Sequence, residues 1–265
     1  MTADYLDKLF VECAQGAKLL ADIREFYGST FKFSVQENLS GTSHFVIDTG
    51  AETLRFREAS IRLNTSTNRI KAAAIHEALH LSLPTRRFNV IHAITLRPEH
   101  APDFARIDET IRKTVNIVQH DIFVNEFVAM GFPLSEFIVR RPTAPRYAEE
   151  AKSFRGKVLI PDHAWIAWSW WAFEYFNNYL SIKHGDDSAE LLAQNAATWG
   201  SRVLPGFQRK AEEIRDWAAD QRHQQPETYM DALRRLFEIM QLPANLQFCS
   251  LVLAPGEIPH VHLTD

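Results

Sequence analysis

His76-Glu77-Ala78-Leu79-His80 sets two imidazoles four residues apart, with a carboxylate directly after the first. On a helix, residues four apart share a face, so both rings can reach one metal ion. Zinc is the ion that an H-E-x-x-H helix holds in hydrolytic sites. Glu77 then stands close enough to take a proton from an activated water without being a ligand itself. The expected cofactor is Zn2+, with His76 and His80 as metal ligands and Glu77 as the catalytic base.

The flanking residues support a helix. Thr65 or Ser66 can cap one that begins in Thr67-Asn68-Arg69, and Pro84 is expected to stop it after Leu83. Ala72, Ile75, Leu79 and Leu83 recur at spacings of three and four, a buried stripe beside the histidine pair. A buried helix whose two histidines are satisfied by hydrogen bonds would show the same pattern without a metal.

A hydrolytic zinc site needs a third protein ligand and an open position for water. A third histidine six residues after the second would fall at position 86, which is Arg86, and Leu83 stands where the accompanying glycine would be. His92 and His100 lie in a stretch broken by Pro98 and Pro102 and could serve only from a loop. The better source is a long helical pattern from about Phe104 to Met130, closed by Gly131 with Pro133 beyond. There His120, Asp121 and Glu126 interrupt an apolar run, which is costly unless each has a partner. Asp121 is the preferred third ligand, with Asn125 one turn on to orient a zinc histidine; His120 and Glu126 are its rivals. Asp121 and Glu126 stand about 140° apart around a helix and cannot both face one ion. His120 is only about 100° from Asp121, so a modest rotation of the helix swaps those two. All three could also be interfacial polar residues with no metal role.

These residues resemble the zincin metallopeptidases, gluzincin-like in the Asn125-Glu126 pair, and are distantly similar to the ImmA/IrrE-type peptidases. That group pairs H-E-x-x-H with a second helix reading acid-x-x-Ala-Asn-x-Phe-Ala, followed by a short apolar stretch ending in Pro. Here Asp121-x-x-Val124-Asn125-x-Phe127-Val128 and Gly131-Phe132-Pro133 echo the run, with Asp in place of Glu and Val in place of Ala. The resemblance covers residues 31 to 135. It implies peptide-bond hydrolysis, with Asp121 where the family places its acidic ligand and Asn125 where it places the polar residue one turn on.

The elements that must carry these residues are expected to form an α+β fold. Residues 3 to 27 have helical spacing through Leu6, Phe10, Cys13, Leu19, Leu20 and Ile23. Phe31-Lys32-Phe33-Ser34-Val35 alternates as a strand does, Asn38 to Ser43 reads as a turn, and His44 to Thr49 is a second strand. Leu54-Arg55-Phe56-Arg57 and Ser60-Ile61-Arg62-Leu63 alternate again, with Ala59 to Asn64 as the candidate edge to which a peptide substrate could add. This is a zincin-like small sheet followed by the H-E-x-x-H helix and the second ligand helix. After Pro142 the pattern is all-helical, at about 162 to 183, 187 to 198, 205 to 222 and 227 to 241. The expected division is a metallopeptidase core with its N-terminal helix over 1–142 and a helical region over 143–265, packed on the core as one unit.

Composition sets the surroundings. With 265 residues, 46% of them hydrophobic, the chain can bury a sizeable core. Its 29 basic and 33 acidic residues give a net charge of −4, without the basic stripe that nucleic acid requires. Two cysteines, Cys13 and Cys249, suit a reducing compartment. The opening Met-Thr-Ala-Asp-Tyr-Leu-Asp-Lys lacks the features of a secretion signal, so the cytoplasm is expected. The aromatic run from Trp165 to Phe173 is interrupted by Glu174, Asn177 and Asn178 before it reaches membrane-spanning length; it reads as core, or as a wall beside the substrate. His163, Tyr147 or Tyr175 could stabilise an oxyanion, and His260 with His262 could form a minor metal site.

Two functions follow from different classes. One is a zinc metallopeptidase acting on a peptide or protein. The alternative is a non-catalytic zincin-fold module that binds a partner protein, its metal structural or absent. Glu77 favours the first, because a structural site has no use for a carboxylate at that position.

Overall fold

The structure, a computed structural model, describes residues 3–11, 13–36, 43–48, 58–64, 69–134, 144–155, 164–252 and 260–264. It is mixed α+β and folds as two compact units. One comprises Met1–Ala93, Phe123–Phe137 and Leu246–Asp265; the other comprises Ile94–Ile122 and Ile138–Asn245. The contacts divide after Ala93, Ile122, Phe137 and Asn245, so the C-terminal segment belongs to the first unit.

The first unit opens with α1 (Ala3–Phe10) and α2 (Ala14–Tyr27). The Cys13 thiol accepts from the Gly16 amide and caps α2. Strands β1 (Phe31–Gln36), β2 (His44–Asp48) and β3 (Glu58–Asn64) form a sheet in the order β1-β3-β2. β1 runs parallel to β3, and β2 runs antiparallel to it, pairing Phe45 with Ile61. β3 is therefore the central strand rather than the expected edge. The physical reason is its sequence: Ala59, Ile61 and Leu63 are fully buried, and Ser60 and Asn64 nearly so, as suits a strand flanked on both sides.

The H-E-x-x-H segment lies on α3 (Ile70–Thr85), which packs against α1, α2, β2 and β3. Buried residues occur all round this helix, as expected of one at the centre of a unit. Gly16 allows the close approach of α2: a Cβ there would lie 2.9 Å from the Ile75 side chain. The Tyr27 hydroxyl donates to the Leu81 carbonyl at 3.0 Å and fastens the other end of α2 to α3. Pro84 does not end the helix at Leu83. It sits within the last turn and α3 runs on to Thr85, where the missing amide costs one bond in a turn that is closing anyway.

Residues 65–68 (the expected caps), 54–57, 38–42 and 163 lie outside the described residues, as do the side chains of His260 and His262.

Helix α4 (Phe104–Ala129) matches the expected second helix. Four further elements were not legible beforehand. β4 (Val90–Leu96) covers what reads as a proline-broken loop; its Val90, Ile91, Ile94 and Thr95 are β-branched and favour the extended state. α5 (Ala144–Arg155) buries Tyr147, Ala151 and Phe154 at spacings of four and three. β5 (Ala244–Val252) and β6 (His260–Thr264) pair antiparallel and complete a second sheet in the order β4-β5-β6. The C-terminal half is therefore not all-helical. β5 also neighbours β4, far away in sequence, and Thr95 donates to the Asn245 carbonyl.

The second unit is built on α6 (Ala164–Lys183), α7 (Ser188–Val203), α8 (Phe207–Asp220) and α9 (Pro226–Ile239). The aromatic run is on α6, where Trp165, Trp171 and Phe176 are buried and Trp168 and Phe176 meet Phe207 and Trp217 of α8. Among the described residues no helix is long and apolar enough to cross a membrane.

A buried polar knot interrupts this aromatic core. The Tyr147 hydroxyl donates to the Glu174 carboxyl at 3.2 Å and accepts from the Asn178 amide at 2.9 Å. Burial raises the Glu174 pKa, with the Tyr147 hydrogen bond opposing it in part. The sign follows directly: the unfolded chain ionises at about 4.3, before the folded one does, so ionisation above that pH favours unfolding. Glu174→Gln is therefore expected to raise the melting temperature at pH 8 by a few degrees, the shift that about 1 kcal/mol produces at this size. The gain should vanish as the pH approaches 4. Thermal melts of both proteins across that range check it; an equal difference at all pH values would refute the account.

Candidate metal centre

α3 brings His76 and His80 together by its periodicity. Their ring centroids are 4.8 Å apart. His80 is 2% exposed and Glu77 5%, while His76 is half-buried. Nδ1 of His76 lies 3.2 Å from a Glu77 carboxylate oxygen. His80 is held between two aromatic rings. Phe45 of β2 stacks on its face at 4.6 Å, and Phe123 of α4 meets it edge-on at 4.8 Å. The sheet thus contributes directly to the site, through a phenylalanine on its edge strand.

α4 meets α3 through one face. Phe123 and Phe127 both pack near His76, at 6.1 and 6.5 Å between centroids. His120 lies on that face, within about 60° of both phenylalanines around the helix. His120 is on α4, one turn before Phe123. His76, His80 and His120 each place a ring nitrogen within 4.8 Å of the others, and among the described residues this is the group that could hold a metal. Around a tetrahedral ion with bonds of about 2.1 Å the donors close to about 3.4 Å, which rotation of the side chains can supply. Three imidazoles suit zinc, copper, iron or nickel rather than magnesium or calcium.

Asp121, the expected third ligand, is elsewhere. It belongs to the stripe Ile107, Ile111, Thr114, Val118, Asp121, buried in the second unit. Its carboxylate is enclosed and accepts from four side chains. Oδ1 is 2.6 Å from Nε2 of His184. Oδ2 is 2.8 Å from Lys183, 2.5 Å from Nε2 of His223 and 2.9 Å from Gln224. Burial alone would raise its pKa, but the hydrogen bonds from His184, His223 and Lys183 outweigh that and hold it well below the usual carboxylate range. The group that could hold a metal therefore contains His120 and not Asp121. The reason is the phase of α4: the two side chains leave the helix about 100° apart, and the apolar stripe turns Asp121 away.

Glu126, the other rival, forms a two-pronged ion pair with Arg86, the residue just past α3, with one contact of 2.7 Å. Asn125 is exposed and about 140° round the helix from His120, so it does not stand behind the histidines as expected. Of the oxyanion candidates, Tyr147 is committed to Glu174, and Tyr175 stacks on Tyr179 at 6.2 Å. His100 meets Trp165 edge-on at 6.3 Å. The sequence offered no sign of Phe45 as a neighbour of this site. The in-phase set His120, Phe123, Phe127 was the one signal that could have separated His120 from Asp121. No protein-family model, curated protein or solved structure matches this chain.

Proposed function

We propose that this chain is a zinc-dependent peptidase whose metal ligands are His76, His80 and His120 and whose general base is Glu77. The observation that carries the reading is the donor count beside a buried carboxylate. Among the described residues three protein donors gather, and three donors leave one of zinc's four positions for water, as hydrolytic sites require and structural sites do not. Zinc, when bound, supplies a Lewis acid and a water molecule acidic enough to attack near neutral pH. The chain's own residues do the rest. Glu77, next to His76 on α3, takes the proton from the attacking water and returns it to the leaving amine. Its contact with His76 Nδ1 holds the carboxylate beside the ligand pair. Phe45 and Phe123 shield the His80 ring from water, which strengthens the electrostatic interactions it makes. A peptide would lie along the exposed side of the sheet's edge strand β2, which carries Phe45. Cytoplasmic location belongs to the same reading, supported by the two free thiols of Cys13 and Cys249.

Purified protein is expected to hold about one zinc per chain and to cleave an unfolded protein such as casein. A chelator should stop the cleavage and added zinc should restore it. Stoichiometric zinc with no hydrolysis of any peptide or protein substrate would favour the alternative, a binding module with a structural metal.

A further inference from the structure

The Asp121 cage sits next to the third histidine, and the arrangement has a mechanical consequence. The four donors come from two separate segments: Lys183 and His184 from the end of α6, and His223 and Gln224 from the short turn between α8 and α9. That turn is itself anchored. His223 is fully buried and stacks on Trp217 at 4.4 Å, and the Trp217 ring nitrogen donates to the Ala232 carbonyl at 2.7 Å. The turn begins at Gln221, whose φ of 56° lies in the left-handed region that non-glycine residues seldom occupy. The chain accepts that conformation to present His223 and Gln224 together.

We infer that Asp121 is a positioning residue for the metal centre: its cage fixes the rotation of α4 about its own axis, and so the direction in which His120 leaves the helix. This rests on the zinc reading above. The Cα atoms of a helix lie about 2.3 Å from its axis, so a 20° turn moves them by about 0.8 Å and a carboxylate further out by more. N–H···O bonds span only about 2.7–3.2 Å, so such a turn breaks the cage on one side or the other. Four bonds from two directions therefore resist rotation both ways. His120, one residue earlier on the same turn, is held by the same restraint. Lys183 also supplies the cation that a free carboxylate would otherwise seek, which keeps Asp121 out of the competition for the ion.

The test uses zinc itself on the full-length protein, with cobalt as a spectroscopic substitute. Two variants loosen the cage, Asp121→Asn and the double change Lys183→Met with His184→Asn. The second leaves α4 untouched and serves if the first fails to fold. Phe207→Leu, in the core of the same unit, is the control that lowers stability without touching the cage. Both cage variants should bind zinc about tenfold to a hundredfold more weakly, the range seen when residues that orient ligands are removed. They should also shift the visible absorption of the cobalt protein, while Phe207→Leu leaves affinity and spectrum as in wild type. Wild-type affinity and spectrum in the double variant would overturn the inference, and so would equal weakening in Phe207→Leu at a matched loss of melting temperature. A rise in affinity in the double variant would identify Asp121 as a ligand instead. Zinc binding that is absent from the wild type would defeat the metal reading itself, and zinc binding unaffected by His120→Ala would remove His120 from the ligand set and this inference with it.

Discussion

Glu77→Gln protein should keep its fold and its zinc and lose hydrolysis by at least about 10²–10⁴-fold, the usual contribution of a general base. Glutamine matches glutamate in size, so α3 and its packing should be undisturbed. Its amide cannot accept the proton from the attacking water. Because Glu77 is 5% exposed, solvent is poorly placed to replace it. Rates on a common substrate, read beside elemental analysis of the same preparations, check this. A wild-type rate in the variant would remove Glu77 from the chemistry and, with it, the argument for a peptidase over a binding module.

The second large effect concerns the ligand set. His120→Ala is expected to weaken zinc binding by about 10²–10³-fold. That follows from apparent zinc-binding energies of about 10–16 kcal/mol shared among four donors in small zinc domains, or about 2.5–4 kcal/mol each. His76→Ala and His80→Ala should behave alike. Glu126→Ala should leave affinity almost unchanged, since that carboxylate is paired with Arg86 in a half-exposed ion pair. Competition titration with a zinc chelator gives the ordering. Full affinity in His120→Ala together with collapse in Glu126→Ala would return the third ligand to an acidic residue.

The two effects separate the two functions. A structural zinc would show the ligand effect without the Glu77 effect; a catalytic zinc shows both. In the catalytic case Glu77→Gln loses activity and keeps its zinc, because Glu77 is not in the histidine group that could hold a metal.

Residue identity and local periodicity determined a large part of this protein. Four-residue spacing brought His76 and His80 to one face of a helix, and no tertiary contact was needed to foresee it. Period-two alternation located β1 and β2, and helical spacing located α2, α4 and the helices α6 to α9 within a few residues. These signals are local: each depends on residues within one or two turns of one another. Tertiary structure decided what local signals leave open. β3 became central because β1 and β2 arrive from both sides, and strand order is a property of pairing, not of alternation. β4 and β5 are neighbours across most of the length of the chain, a pairing no local signal carries. Which of His120 and Asp121 faces α3 turned on about 100° of helix rotation, which the sequence of α4 carries only faintly. Asp121 is drawn instead to partners that lie 62 to 103 residues further along. A buried carboxylate goes to whichever donors can enclose it, and only the folded chain brings those donors within reach.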